Sequence, residues 1–209
     1  MIAKALLSLL ILLQSGAILV DRIAAQVNEE IITIHDIERA IAFFPLLRQN
    51  SESEEKFYFR VLGDLLNYKV IALEYGDEFN LGEEDFEIVQ TQILQKAGSL
   101  EKLLGTLSNF AMSWSDFEAF IREKVLYEKV LREKFPMEFP IAFAEIEDFY
   151  NRDYLPSQLR LGLEPQSLAE MTPQIEKYLR KLRTEKQLST WLSDMRSAFK
   201  IEIKLRSPQ

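Results

Sequence analysis

The sequence predicts a mostly α-helical protein whose helical core is closed by a small antiparallel β-sheet, formed by an N-terminal hairpin and the C-terminal strand. Three features carry that expectation. Between His35 and Ala198 most apolar residues recur three and four positions apart, the repeat of helices with one buried face. The two ends alternate with period two instead, at Ile23 to Ile34 and at Phe199 to Leu205. Finally, 7 Gly and 7 Pro are few for a loop-rich chain of 209 residues, so long helices are the natural carriers of its 14 Phe, 7 Tyr and 2 Trp.

The first folded element is a hairpin within ILVDRIAAQVNEEIITI, residues 18–34. With Asn28-Glu29 at the tip, Val27 faces Glu30, Ala25 faces Ile32 and Ile23 faces Ile34, which gathers apolar side chains on one face that needs a cover. A tight primed turn favours Gly where Glu29 stands, so a longer loop of even length is an alternative that keeps the same pairing. His35 is read as the cap of the first helix, with Glu38 three residues on and Ile37, Ile41 and Phe44 along one stripe; Pro45 ends it. A second helix covers about Glu54 to Phe79. The third opens with Glu83, Glu84 and Asp85, whose charges suit the positive end of a helix dipole, and runs toward Gly98. A short fourth covers Ser99 to Leu107, and a fifth begins at Ser115, with Glu118 completing a capping box.

Beyond it, Phe135, Met137, Phe139, Ile141 and Phe143 alternate in an extended connector where Pro136 and Pro140 bar a helix. A brief helix around Glu145 to Tyr150 leads into a Pro-containing loop, Leu155 to Pro165. The closing helix is expected to start at Thr172-Pro173, a cap followed by Pro at the first helical position, and to end near Ala198. An isolated hairpin is marginal in water, and only the tail offers another strand. Residues 199–205 are therefore expected to join the hairpin as a third strand. Without repeats or long linkers, one domain over residues 18–209 is the simplest organisation, with 151–171 as a short linker.

Residues 1–17 are expected to be a secretory signal: Lys4 is the charged start, Ala5 to Leu13 the apolar run, and Ser15-Gly16-Ala17 a small-residue cleavage site. An uncleaved anchor in the inner membrane is the alternative, although a span needs about 20 apolar residues and Gln14, Ser15 and Gly16 interrupt the run. No stable membrane insertion is expected once the leader is removed. A formal charge of −8 and a pI near 4.9 argue against nucleic-acid partners and anionic membrane surfaces, whose binding needs clustered cations. The chain has no Cys, so no disulfide framework and no acylated-Cys start.

Little suggests catalysis. His35 is the sole histidine, so no His-pair metal site can form, and its place at a strand-to-helix junction reads as structural. The acidic clusters at Glu52 to Glu55 and Glu83 to Asp85 lie where helices begin. No phosphate-binding Gly loop, H-E-x-x-H or C-x-x-C is present, and neither a cofactor nor a metal is expected. The informative excess is aromatic. Adjacent bulky residues at Phe43-Phe44, Phe57-Tyr58-Phe59 and Phe110 to Trp114 occupy more than one face of their segments, so some should line an exposed apolar groove that binds other chains. The candidate peptide-binding residues are Phe43, Phe110, Met112, Trp114, Met137, Phe139 and Phe143, with the two Met as adaptable contacts.

At this level the chain resembles the family of the periplasmic chaperone SurA. Asp21-Arg22-Ile23-Ala24-Ala25-Gln26-Val27-Asn28 and Ile31-Ile32-Thr33-Ile34 are similar to the family's opening motif. The likeness continues through Leu65-Leu66, Lys69 to Glu74, Leu81 to Asp85, Trp114 to Phe117 and Glu145 to Tyr150, and resumes at Trp191 to Arg196 and Phe199 to Ile203. The resemblance implies a helical chaperone core closed by N- and C-terminal strands. It also implies an ATP-independent holdase for unfolded, aromatic-rich polypeptides such as outer-membrane proteins, located in the periplasm. Longer relatives carry parvulin prolyl-isomerase domains where only Asn151 to Thr172 stands here, and His35 lies in the wrong part for such a site, so no isomerase activity is expected. The rival readings are a dedicated interaction or scaffold subunit of an envelope complex, or a homodimer holding a second copy in the same groove; an enzyme ranks last.

Overall fold

The computed structural model describes residues 21–135 and 140–206. The expected leader at residues 1–17, residues 18–20, and Met137 and Phe139 of the expected connector lie outside the described residues. The fold is mostly helical with one three-stranded antiparallel sheet, built from β1 (Ile23–Val27), β2 (Glu30–Thr33) and β3 (Ile201–Ile203) in the order β2-β1-β3. The tail is the third strand, as expected: Ala25 pairs with Ile203, Gln26 with Glu202 and Val27 with Ile201.

The hairpin register holds at Val27 with Glu30 and at Ala25 with Ile32. Toward the open end it shifts, and Ile23 faces Thr33 instead of Ile34. A bulge between Ile23 and Ala25 causes the difference, and it turns two successive side chains, Ala24 and Ala25, into the core with no exposure. Only small residues suit such a bend. The tip needs no longer loop, because Asn28 takes the left-handed conformation at φ 52°, which Asn tolerates better than most residues. Its N–H donates to the Lys200 carbonyl at 2.8 Å, and its Oδ1 accepts from the Lys200 N–H at 3.1 Å. The turn is thereby tied to the approach of β3.

Among the described residues eight α-helices follow the hairpin, and several begin at caps other than those expected. Helix α1 (Ile34–Phe43) is capped by Thr33, whose hydroxyl accepts from the Asp36 N–H while Asp36 returns the bond to the Thr33 N–H, so His35 is already inside the helix. It ends before Pro45, as expected. Helix α2 (Glu54–Tyr75) stops one turn short of the expected Phe79. Helix α3 (Glu83–Ala97) ends on left-handed Gly98 at φ 82°. Helix α4 spans Leu100–Asn109. Helix α5 (Trp114–Lys134) starts from Ser113 with Asp116, not from Ser115 with Glu118, because Glu118 instead accepts the Trp114 indole N–H at 2.8 Å.

The region expected to be mainly loop is a helical arm. Helix α6 (Phe143–Phe149) continues through a π-helical turn, Tyr150–Tyr154, into α7 (Leu155–Arg160). Pro156 sits in the first turn of α7, where it loses little. Helix α8 (Leu168–Ser197) begins earlier than Thr172-Pro173 because Ser167 and Glu170 form a capping box, and Pro173 is carried inside the helix. Thirty residues make α8 about 45 Å long.

The main core lies between α2 and α5, which pack along each other and seal Val61, Leu62, Val70, Ile71, Phe117 and Ile121 from solvent. A smaller cluster joins Ile146 of α6 to Met171 and Ile175 at the start of α8. The far end of α8 returns to the main core through Trp191, Leu192 and Met195. There Arg196 donates to the Gly63 carbonyl at 2.5 Å and to Asn67 Oδ1 at 2.8 Å, both on α2.

Helices α3 and α5 are joined by one buried carboxylate. Asp85, 3% exposed, accepts from the Gly82 N–H at 3.0 Å, Lys129 at 2.8 Å and Arg132 at 2.6 Å. Burial pushes its pKa up, but these donors prevail and hold it below the ordinary value. A depressed carboxylate stabilises the fold above its unfolded pKa of about 3.9 and loses that contribution as pH falls through the folded value. Asp85→Asn should therefore cost about 2–3 kcal/mol at neutral pH, with the gap to wild type closing in acid; urea titrations across that pH range would measure it.

Candidate functional site

A cavity of about 590 Å³ opens beside the free edge of the sheet. One wall is β2, through Ile31 and Ile32; the opposite wall is the α4–α5 turn, Phe110 to Met112, continued by Ala119 and Phe120 of α5. The floor comes from α2, with Leu65 and Tyr68, and from Phe44 at the end of α1. Adjacent Phe43 and Phe44 divide the labour. Phe43 points into the core and touches the rings of Phe110, Phe117 and Phe120 at 5.8, 5.4 and 6.0 Å, whereas Phe44 stacks on Phe120 at 5.3 Å and meets Tyr68 edge-on at 5.9 Å.

Most charged groups of the walls already have partners; the exception is Arg39, whose buried Nε has no acceptor. Asp36 lies 3.6 Å from Arg39. Lys69 lies 2.5 Å from Glu123 and 3.6 Å from Glu30. Burial opposes its charge, yet these two carboxylates outweigh burial and hold the ammonium above its ordinary pKa. Lys124 pairs with Glu128 and places its ammonium 5.4 Å from the Phe44 ring centre and 5.6 Å from that of Tyr68. Asp116 is occupied by the Ser113 hydroxyl and N–H, which together hold its carboxyl below the usual range. The groove thus mixes apolar and aromatic side chains with polar groups, most of which already have partners.

Below it, on the α2–α5–α8 seam, Asp64 faces Arg60, Lys124 and Arg196 beside Tyr127, whose ring lies 4.9 Å from that of Tyr68. Burial raises the Asp64 pKa despite the three cations, and it pushes the Tyr127 hydroxyl up to about 12.

The turn between α4 and α5 carries local strain. The Ala111 N–H donates to the Ser108 carbonyl at 3.0 Å and the Met112 N–H to the Leu107 carbonyl at 2.9 Å, the two bonds of a Schellman helix end. That motif puts its middle residue in the left-handed region and normally uses Gly, but here φ is 51° on an alanine.

Of the residues expected at the site, Phe110 and Met112 line the groove. Phe43 does not: at 1% exposure it is core, pressed behind Phe110. Trp114 is 41% exposed but packs on Phe117 at 5.2 Å outside the groove walls, because its indole is held back along α5 by Glu118. Phe143 is 61% exposed, at the first turn of α6 in the arm, and is also not a wall residue. Met137 and Phe139 lie outside the described residues. Sequence reading missed Ile31, Tyr68, Phe44 and Phe120 as wall residues. Phe43 and Phe44 are both buried in the main core, and Phe44 also borders the groove.

Among the described residues there is no cluster of three His, Asp or Glu arranged to hold a metal, and no helix is long and apolar enough to cross a membrane. Fold and groove define a mostly helical protein with an open aromatic cleft at a sheet edge. Compared with known proteins, the chain matches no protein-family model and no curated protein.

Two outcomes test the local physics. Ala111→Gly should raise stability by about 0.5–1 kcal/mol, because relief of the left-handed Cβ outweighs the added freedom of the unfolded chain; thermal unfolding would show it. Asp64→Asn should stabilise the protein at neutral pH and lose that advantage in acid. A raised folded pKa means that the wild-type carboxyl contributes stability below its unfolded pKa and loses it as pH rises through the folded one. Denaturant midpoints across about pH 4 to 8 would reveal it.

Proposed function

We propose that this protein is a SurA-like, ATP-independent holdase of the periplasm, exported by residues 1–17, that lacks an isomerase domain and binds unfolded or extended polypeptides such as outer-membrane proteins. The observation that carries this reading is the open groove, walled by Phe110, Met112 and Phe120 and floored by Phe44 and Tyr68, most of whose charged neighbours are already paired. Such a cleft gains from covering apolar surface and asks for no particular charge pattern in its occupant. The motifs at both chain ends support the family reading, and the pairing of β1 with β3 agrees with the closed core that the resemblance implies.

The mechanism is exchange. A client removes its own apolar side chains from water against the groove, while most of its chain stays disordered, so affinity per contact area is modest and release needs no nucleotide. Nothing is cleaved or transferred, and neither a cofactor nor a metal takes part. A second reading, a dedicated interaction subunit, draws on Leu159, Leu161 and Leu163 of the arm, exposed by 61, 70 and 53%.

The protein beginning at Ile18 should suppress aggregation of a denatured outer-membrane protein without ATP. Met112→Glu, which puts an unpaired charge into the groove from a half-exposed position, should weaken suppression several-fold at unchanged melting temperature. No suppression by wild type at several-fold excess would defeat the proposal, and a single stoichiometric folded partner found on copurification would favour the second reading.

A further inference from the structure

We infer that β2 is a docking edge: an extended, uncharged segment of a bound polypeptide adds beside it as a fourth strand, pairing with the outward main chain of Ile31. This rests on the reading of the groove as a polypeptide-binding site and adds how the polypeptide is held.

The direction of the free groups follows from the sheet. Asn28 and Ala24 turn their main chains toward the C-terminal strand, the first through its N–H to Lys200 at 2.8 Å and the second by accepting the Lys204 N–H at 2.8 Å. Alternation along β1 then aims Val27 and Ala25 at β2, where they face Glu30 and Ile32. Ile31, between those two, must point its N–H and C=O away from β1. The Thr33 N–H is spent on Asp36 at 2.9 Å. Ile31 is 47% exposed, and among the described residues no strand pairs with β2 on that side.

A bare sheet edge is by itself only a hazard that proteins tolerate when short. Here the edge forms a wall of a groove of mixed polar and apolar lining, so a strand laid along it would place alternate side chains toward Phe120 and Met112 and the others toward solvent. Electrostatics select the occupant. Asp36, Arg39, Lys69, Asp116, Glu123 and Lys124 contribute three charges of each sign to the lining, in a protein of net charge −8, and all but Arg39, whose Nε is buried without an acceptor, are held by a hydrogen bond or close ion pair. A charged side chain entering the groove would lose water and find no exposed, unpaired counter-charge, whereas an apolar one avoids that penalty and a neutral polar one bears a smaller one. Glu30, held 3.6 Å from Lys69, keeps the edge at the rim of the groove.

The test uses a short fluorescein-labelled peptide alternating Val with Thr, titrated into the protein beginning at Ile18 and followed by anisotropy. Ile31→Pro removes only an N–H that β1 does not use and should weaken binding about fivefold to tenfold, roughly 1–1.4 kcal/mol. Ile31→Thr keeps the N–H but trims a wall side chain, and should weaken binding less than Ile31→Pro does. Peptide addition should slow hydrogen exchange of the Ile31 amide, and N-methylating the central peptide amides should abolish binding, a readout that does not depend on the Pro variant folding. Equal binding by folded Ile31→Pro, or an Ile31 amide that exchanges unchanged, overturns the strand pairing; if aggregation suppression persists in that case, the holdase reading survives alone. Loss of both would reject the holdase reading as well. A peptide-free dimer in sedimentation that disappears in Ile31→Pro would assign the edge to a second copy and also overturn this occupant.

Discussion

The rest of the molecule depends on the hydrogen bonding of β1 along both of its edges. Its Ala24, Ala25 and Val27 are sealed from solvent, which is possible only if the main chain between them is satisfied on each side. The hairpin supplies one side locally. The other side must come from residues 201–203, so the two ends of the described chain are bound to one strand and every helix is enclosed between them. A two-stranded hairpin alone would be marginal. The third strand turns it into a lid over α2.

That closure dictates where α8 goes. A helix that must deliver its C-terminus to β1 has to run back over the core, and it does so with Trp191 against Tyr75 and Phe135 at 6.1 and 5.1 Å and with Arg196 fastened to α2. Its first third lies elsewhere, against Ile146 in the arm, so one helix links two apolar clusters. The same closure leaves β2 as an edge. Because β3 occupies the other side of β1, the sheet ends beside the α4–α5 turn, and the space between them is the groove. An aromatic cleft at a sheet edge is thus a geometric consequence of joining the termini, finished by a strained Ala111 and paired charges.

Much of the fold was legible from local pattern, and the errors share a cause. The tail strand, the hairpin pairs nearest the tip and the end of α1 before Pro45 all follow from periodicity or from proline's missing N–H. The helix starts were misjudged where two caps competed within a few residues: Thr33 against His35, Ser113 against Ser115, Ser167 against Thr172. In each case the chosen cap has an acidic residue three positions on that closes a reciprocal box. The arm from Tyr150 to Arg160 was hidden by Pro156, which reads as a breaker but is harmless in a first helical turn. Of the aromatic and Met residues singled out by composition, Phe110 and Met112 line the groove, whereas Phe43 packs into the core and Trp114 is held by Glu118 outside its walls.

What the sequence determined by itself is the inventory: which segments are helix or strand, that the first and last strands need each other, and that more aromatic surface exists than one core can absorb. These follow from period, capping and composition, which act over a few residues. Which of two buried neighbouring phenylalanines borders the groove, which edge of the sheet stays bare among the described residues and which charges pair beside the groove were decided by tertiary structure. Those outcomes depend on the direction in which elements distant along the chain approach, as when Lys69 meets Glu123 and Arg196 meets Gly63, and no local pattern encodes a direction.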